Sequence, residues 1–325
     1  MKALYEGLTL GKATRDAYGE ALHDLGARYD DIVVLDADLA KSTKSAYFGE
    51  EFPDRFLNVG IQEANLVGMA GGLASVGKVP FISSFACFVI LKGFDQLRMA
   101  VAYPRLNVKV VGSHGGISPG EDGASQQSVE DVALACSLPD FVVCVPSDEH
   151  QTRAAVEAAY RHDGPVYIRT GRPKAPLVYE SVPQDFEFGR AAVIREGTDA
   201  TIIANGLMVG AAIVAPERLR QEGIHVRVLD MATVKPLDEE AVQRAAEETG
   251  AIVTAEEHLV HGGLGARVAQ AVCRTRPVPM EFVGLDDTYA ESGDPAALLE
   301  KYGLTADDIV AAVRRVTGRR GESEA

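Results

Sequence analysis

The chain has 325 residues, 46% of them hydrophobic and 24% charged, with a formal net charge of −15. That length accommodates about two domains and a full core, while the acidic balance, with Lys and Arg scattered, excludes an electrostatic nucleic-acid binder and no apolar run suffices to span a bilayer. A signal-peptide core is lacking, and Cys87, Cys136, Cys144 and Cys273 form no C-x-x-C pair, so they read as buried or free thiols in a reducing cytoplasm.

In chain order, helical spacing over 15–29 leads into DIVVLDAD, a strand that ends in Asp36 and Asp38. A helix over 63–75 precedes the strand VPFISSF, and a helix over 94–102 precedes NVKVVGSHGG. A helix over 128–137, with Ser128 as its cap, leads to the strand FVVCVPSD, and a helix over 149–161 leads to PVYIRTGRP. The stretch GRPKAPLVYESVPQDFEFGRAAVIREG breaks this rhythm with three prolines and reads as a linker with short extended pieces. A second alternation follows. DATIIANG, HVRVLDMATV, AIVTAEEH and MEFVGLDD read as strands, with helices over 209–221, 238–248 and 264–273. LTADDIVAAVRRV reads as a closing helix with Thr305 as N-cap and Asp307 and Asp308 in its first turn. Buried strands alternating with helices predict an α/β protein of two doubly wound domains with mostly parallel sheets. Their expected bounds are 1–185 and 186–318, with a disordered tail at 319–325.

In such folds ligands bind beyond the carboxyl ends of the strands. The polar and aromatic residues there are the first candidates: Asp36, Asp38, Ser84, Phe85, His114, Asp148, Arg169 and Arg172. Glu63 poses a separate question. At helical spacing it shares a face with Leu66, Val67, Ala70, Leu73 and Ala74, where an isolated carboxylate is costly to ionise. Either the fold or something bound must supply its partner.

Other motifs have simpler readings. HGGLGA, 261–266, lacks the complete dinucleotide fingerprint and reads as a turn before a helix. His258 and His261 stand near Glu256 and Glu257, but not in an H-E-x-x-H pattern, and read as polar groups at a strand end or an interface rather than metal ligands. The Gly-rich loop SHGGISPGEDGASQQSVED, 113–131, is either a substrate site or a flexible connection. Phe85 and Phe88, three apart, read first as core aromatics, though the same spacing can form a flat apolar pocket for a planar ring.

In their order along nearly the whole chain, ATRDAYGEAL, VLDADLAKST, FLNVGIQEANLVGMAGGLASVG, SSFACF, the 113–131 loop, PVYIRTGRP, DATIIANG, DMATVKPLD and EEHLVHGGLG resemble the transketolase family. The resemblance is to the half that carries the pyrimidine-binding domain and the C-terminal domain. It implies thiamine diphosphate as cofactor, with Glu63 on the aminopyrimidine ring, Phe85 and Phe88 as the ring's bed and Asp38 nearby. Leu91 stands where a third aromatic is usual. It further implies that Arg15, Ser42 and Arg172 hold a sugar phosphate, while His114 and Asp122 contact its hydroxyls or carbonyl. Gln126 stands where the family usually has a histidine; it can donate and accept hydrogen bonds but carries no charge. The family's GDG…N motif for diphosphate and Mg2+ is missing. No metal ligand is therefore expected on this chain, and the resemblance implies a separate N-terminal subunit that carries that motif, in a two-plus-two assembly. The activity implied is transfer of a two-carbon ketol unit from a ketose phosphate to an aldose phosphate. The alternatives are the beta subunit of a 2-oxo-acid dehydrogenase, a deoxyxylulose phosphate synthase, which normally has both halves in one longer chain, and a non-catalytic regulatory partner. An acid at 63 locked to a lysine or arginine of its own chain would count against the cofactor role.

Overall fold

The computed structural model describes residues 1–323, with the side chains of Lys2, Ala3 and 320–323 left aside. The first part of the chain runs β1 (Leu10–Ala13), α1 (Thr14–Arg28), β2 (Ile32–Asp36), α2 (Ala40–Thr43), α3 (Ala46–Glu51), β3 (Phe56–Asn58), α4 (Glu63–Ser75), β4 (Val79–Phe85), α5 (Ala86–Gln96), β5 (Lys109–Ser113), α6 (Asp131–Ser137), β6 (Val142–Cys144), α7 (Glu149–Arg161), β7 (Val166–Arg169) and β8 (Lys174–Pro176). The second runs β9 (Ala192–Arg195), β10 (Ala200–Ala204), α8 (Met208–Arg220), β11 (Val226–Asp230), β12 (Thr233–Lys235), α9 (Glu239–Glu248), β13 (Ile252–Leu259), α10 (Leu264–Arg274), β14 (Met280–Leu285), α11 (Pro295–Lys301) and α12 (Ala306–Ser323).

Alternation along β2 explains the layering. Val33 and Leu35 pack with Leu66 and Val67 of α4 and with Val89 and Ile90 of α5. Ile32 and Val34 pack with Tyr18, Leu22 and Leu25 of α1 and with Ala155 and Val156 of α7. Period-two side chains thus bury both faces of the sheet under helices, the doubly wound arrangement. The large sheet has the order β12-β6-β7-β5-β4-β2-β3, parallel except for the β12–β6 edge. The second sheet has the order β14-β13-β10-β11-β9, parallel except for β9. β1 and β8 form a separate antiparallel pair.

Several boundaries depart from the sequence reading. HVRVLDMATV is two strands in two sheets: β11 lies in the second, and β12 crosses to pair with β6 at the edge of the first. Short apolar runs carry no signal of such a switch. The helix expected over 94–102 begins at Ala86, directly after β4, and its last stretch, 97–102, is wound as π-helix. Phe88 therefore lies on a helix. Ser128 does not cap α6; it pairs as an isolated bridge with Gly116, and the helix starts three residues later. Thr305 does cap the closing helix, its hydroxyl bonded to the Asp308 carboxylate and accepting from the Asp308 N–H. That helix runs on to Ser323, through most of the segment read as a tail; 324–325 lie outside the described residues.

Candidate active site

The carboxyl ends of β2, β4, β5 and β7 converge on one open pocket of about 580 Å³, lined by Arg15, Ser42, Phe85, His114, Asp122, Gln126 and Arg172. Those seven side chains come from five separate stretches of the sequence. Arg15 opens α1, in register with the β7 end through Gly171: the Gly171 N–H donates to Thr14 Oγ1 at 2.7 Å, and the Arg15 N–H to Gly171 O. Ser42 sits on the turn after β2. Buried Asp36 shapes that turn by accepting from the Leu39 N–H, the Thr43 hydroxyl and the Ser45 hydroxyl at 2.6, 2.7 and 2.8 Å. Asp36 is thus a structural acid rather than a ligand. Burial raises its pKa, and those three donors oppose the rise.

Cations dominate one wall. Arg15 Nη1 donates to the Ser42 carbonyl at 3.1 Å and lies 3.4 Å from His114 Nε2, while its buried Nε has no hydrogen-bond partner. Arg172 donates through Nη1 to Pro119 O and, at 2.8 Å, to Glu121, and its Nε lies 4.0 Å from Asp122. Asp122 is also 4.0 Å from His114. The Ser125 hydroxyl donates to Gln126 Oε1, which leaves the Gln126 NH2 group as the donor open to a ligand.

His114 is 2% exposed. Burial first, then the Arg15 and Arg172 charges, push its pKa down to about 3, so the ring is neutral near pH 7. Arg15 can only donate, so Nε2 accepts and Nδ1–H donates to the Ser113 hydroxyl at 2.9 Å. A neutral imidazole fixed this way is a weak base: it can orient a hydroxyl by accepting a hydrogen bond at Nε2, but the two neighbouring guanidiniums oppose its taking up the proton. Its backbone is left-handed at φ +62°, a conformation that turns it back across β5 against Phe85. The two rings stack at 3.8 Å between centroids, and Phe85 stacks in turn with Phe88 at 5.5 Å.

That stack joins the pocket to a second cluster around Glu63. Glu63 is buried at the first turn of α4; the Ser84 hydroxyl donates to its Oε1 at 3.3 Å, and Lys92 Nζ lies 3.6 Å from its Oε2. The fold therefore supplies part of the partner that burial demands. Lys92 approaches a single oxygen, beyond hydrogen-bond distance, from a side chain 51% exposed, so the acid is not locked. Sequence reasoning missed Lys92, whose signal was its position four residues after Phe88 on one helix face. Asp38 is not part of either cluster: it is exposed, at φ +67°, and accepts from Asn58 at 3.0 Å.

The 113–131 loop is clamped rather than loose. Buried Arg169 reaches Asp131 at 3.2 Å and donates to the carbonyls of Ser128 and Glu257, while the Glu257 carboxylate accepts the Ser118 N–H at 2.6 Å. Glu257 comes from β13, so the second part of the chain holds the loop of the first. No local pattern in the sequence pairs these residues. His258 and Glu256 are structural too. His258 Nδ1–H donates to Leu259 O at 2.7 Å and its Nε2 accepts from the Ala133 N–H. Glu256 caps α10 through the N–H groups of Leu264 and Gly265, which places the chain's own carboxylate where HGGLGA would need a phosphate. Among the described residues no group of three or more His, Cys, Asp and Glu could hold a metal ion, and no helix is long and apolar enough to cross a membrane.

Comparison with known proteins bears on the family. Residues 11–177 match the family description "Transketolase, pyrimidine binding domain" and residues 189–309 match "Transketolase, C-terminal domain". A 6-deoxy-6-sulfo-D-fructose transketolase subunit of Clostridium sp. is 44% identical over 94% of this chain and 95% of its own length. A putative transketolase C-terminal section of Methanocaldococcus jannaschii is 41% identical over 92% and 94%. A solved structure described as a split gene transketolase, inactive beta4 tetramer, superposes with a TM-score of 0.89 at 50% identity, covering 95% of this chain and 99% of that one.

Proposed function

Since the chain belongs to the transketolase family and matches its split C-terminal sections, we propose that it is the C-terminal subunit of a thiamine-diphosphate-dependent transketolase. In this reading it moves a two-carbon ketol unit from a ketose phosphate to an aldose phosphate in the cytoplasm. The observation that carries the reading is the single pocket uniting Arg15, Ser42, Phe85, His114, Asp122, Gln126 and Arg172 beside a buried acid. The domains we assign are 1–185 for the cofactor's pyrimidine end and 186–318 for the C-terminal domain.

The residues present fit the pyrimidine end of the cofactor. Glu63 is a buried acid with one weak hydroxyl donor and an incompletely engaged Oε2, and half-buried Phe88 offers an aromatic face next to it. Thiamine diphosphate, when bound, supplies the electron sink that stabilises the two-carbon fragment. Glu63 holds a proton at the ring nitrogen, with Phe85 and Phe88 bedding the ring and Asp38 at its margin. Arg15, Ser42 and Arg172 hold the sugar phosphate, two guanidiniums and a hydroxyl lining the same pocket. Asp122 and the Gln126 amide orient hydroxyls, and neutral His114 accepts a hydrogen bond from a hydroxyl through Nε2.

A separate N-terminal subunit carrying the GDG…N motif provides the diphosphate site and the Mg2+ ligands. It covers the face on which Ile61, Leu91, Met99 and Tyr103 are exposed, 69%, 48%, 48% and 81% respectively, around α4 and α5. Two copies of each subunit assemble.

The test mixes this chain with the N-terminal subunit, thiamine diphosphate and magnesium, and measures ketol transfer. Turnover is expected from the mixture and not from this chain alone. Glu63→Gln is expected to abolish turnover while the subunits still co-elute; full activity of that variant, or robust turnover by the lone chain, refutes the assignment. Decarboxylation of a 2-oxo acid in place of ketol transfer would mark a dehydrogenase beta subunit instead; the sugar-phosphate cations of the pocket favour ketol transfer.

A further inference from the structure

The two guanidiniums of the pocket are engaged differently. Arg15 meets neutral acceptors, the Ser42 carbonyl and His114. Arg172 already carries an anion: its Nη1 donates to the Glu121 carboxylate at 2.8 Å, and its Nε lies 4.0 Å from Asp122. The two acids are placed differently as well. Asp122 lines the pocket; Glu121 does not, and its side chain, 64% exposed, reaches Arg172 from the rim. Both ride on one short turn, Gly120–Asp122. That turn is wedged against the second part of the chain. A Cβ on Gly120 would lie 2.7 Å from Pro295 Cγ, and one on Gly123 would lie 2.3 Å from Ser292 Oγ. Gln127 Nε2 fastens the same place by donating to Glu291 O at 3.0 Å. The backbone under Glu121 is therefore held, while its carboxylate sits at the end of a solvated side chain whose ion pair is with Arg172.

We propose that Glu121 is a tethered competitor for Arg172: a phosphate entering the pocket displaces its carboxylate, which retakes the guanidinium when the phosphate leaves. This rests on the reading of Arg15 and Arg172 as the cations that hold a sugar phosphate. A carboxylate and a phosphate offer a guanidinium the same kind of charge-assisted hydrogen bond, so both cannot use one N–H fully. Phosphate brings the larger charge and a third oxygen and wins the exchange; the displaced carboxylate moves into water, which its exposure makes easy. Because Glu121 is attached to the site, it competes at a fixed effective concentration and lowers the affinity of every phosphate ligand by a common factor. The site is thereby kept from filling with ambient inorganic phosphate. Glu121 acts through Arg172 and is a positioning residue, whereas Asp122, lining the pocket, stays to meet hydroxyls.

The test is a phosphorus NMR titration of inorganic phosphate into the complex of this chain and its N-terminal partner. Thiamine diphosphate and magnesium are kept saturating, so that the diphosphate site is filled and the readout is independent of turnover. Glu121→Gln is expected to bind phosphate about two- to five-fold more tightly than wild type, the range set by an exposed ion pair. Arg172→Met is expected to bind it more weakly, and Glu121→Gln should bring no gain in the Arg172→Met background. Glu240→Gln removes the same charge from α9, beside a different cavity, and should change nothing. Unchanged affinity in Glu121→Gln, with Arg172→Met weakened, overturns the competitor and leaves the phosphate site standing. An equal gain in the Arg172→Met background, or from Glu240→Gln, overturns it too, since the effect would then be one of overall charge. If Arg172→Met binds phosphate as wild type does, the reading of the pocket as a phosphate site fails instead.

Discussion

Gly116→Ala tests whether the second part of the chain fixes the substrate loop of the first. Gly116 has φ +77°, where an L-residue costs about 1–2 kcal/mol. A Cβ there would lie 2.1 Å from the carboxyl carbon of Glu257 and 2.2 Å from its Oε1. The backbone cannot back away easily, because Gly116 and Ser128 exchange both N–H···O bonds, at 2.7 and 3.0 Å. Glu257 must therefore move, and its bond from the Ser118 N–H is lost; a hydrogen bond to a charged group contributes about 1.5–3 kcal/mol. Together the two effects give a destabilisation of about 2.5–5 kcal/mol. Urea unfolding of the chain, followed by circular dichroism, reads this as a lowered midpoint at unchanged slope. In the assembled enzyme the same variant should raise KM, since the loop carries His114 and Asp122. Gly318→Ala, at an open position without a left-handed backbone, is the control. A loss below about 1 kcal/mol for Gly116→Ala would refute the clamp.

Arg172→Lys replaces a forked donor by a point charge and is expected to raise KM for sugar phosphate by roughly tenfold or more with kcat largely retained; an unchanged KM removes Arg172 from the phosphate site. Because the folded-state pKa of His114 is lowered to about 3, the unfolded chain binds a proton that the native chain refuses, so stability falls as pH drops below the ordinary histidine range. This histidine alone contributes a loss of about 2 kcal/mol between pH 7 and pH 5. Urea midpoints measured over that range should show a shallower loss for His114→Asn, and identical slopes would show that the ring is not held neutral. Gly72→Ala, on the exposed side of α4 with nothing within 4 Å of the new Cβ, should stabilise the free chain by about 0.5–1 kcal/mol yet weaken assembly, read by sedimentation; unimpaired assembly would move the partner's face elsewhere.

Patterning made the architecture legible. The bounds 63–75 and 149–161 coincide with α4 and α7: α4 is an apolar run opened by Glu63, and α7 has a strong apolar stripe with Asp148 capping it through the Gln151 N–H. Glu63 declared itself by standing on an apolar face. The joint placement of Arg15, Ser42, His114, Asp122, Gln126 and Arg172 was legible through motif resemblance rather than spacing, since they come from distant segments. What stayed hidden depends on three-dimensional neighbours that leave no local trace. Lys92 looks like any solvated lysine until its helix docks beside α4, and the Glu257–Ser118 bond joins residues far apart in the sequence. Leu91, where an aromatic is usual, is 48% exposed and does not line the 580 Å³ pocket.

The crossing of β12 bears on how this protein can be cut. A gene fragment ending in the linker would encode a large sheet whose β6 has lost its neighbour, baring a row of backbone donors and acceptors that invites other chains to add on. It would also strip Val234, Val242 and Leu264 from an apolar cluster they share with Val143 and Phe141. Expression of the leading half by itself should therefore yield sticky, aggregating material, and tags or fusions belong at the chain ends, with the linker left intact.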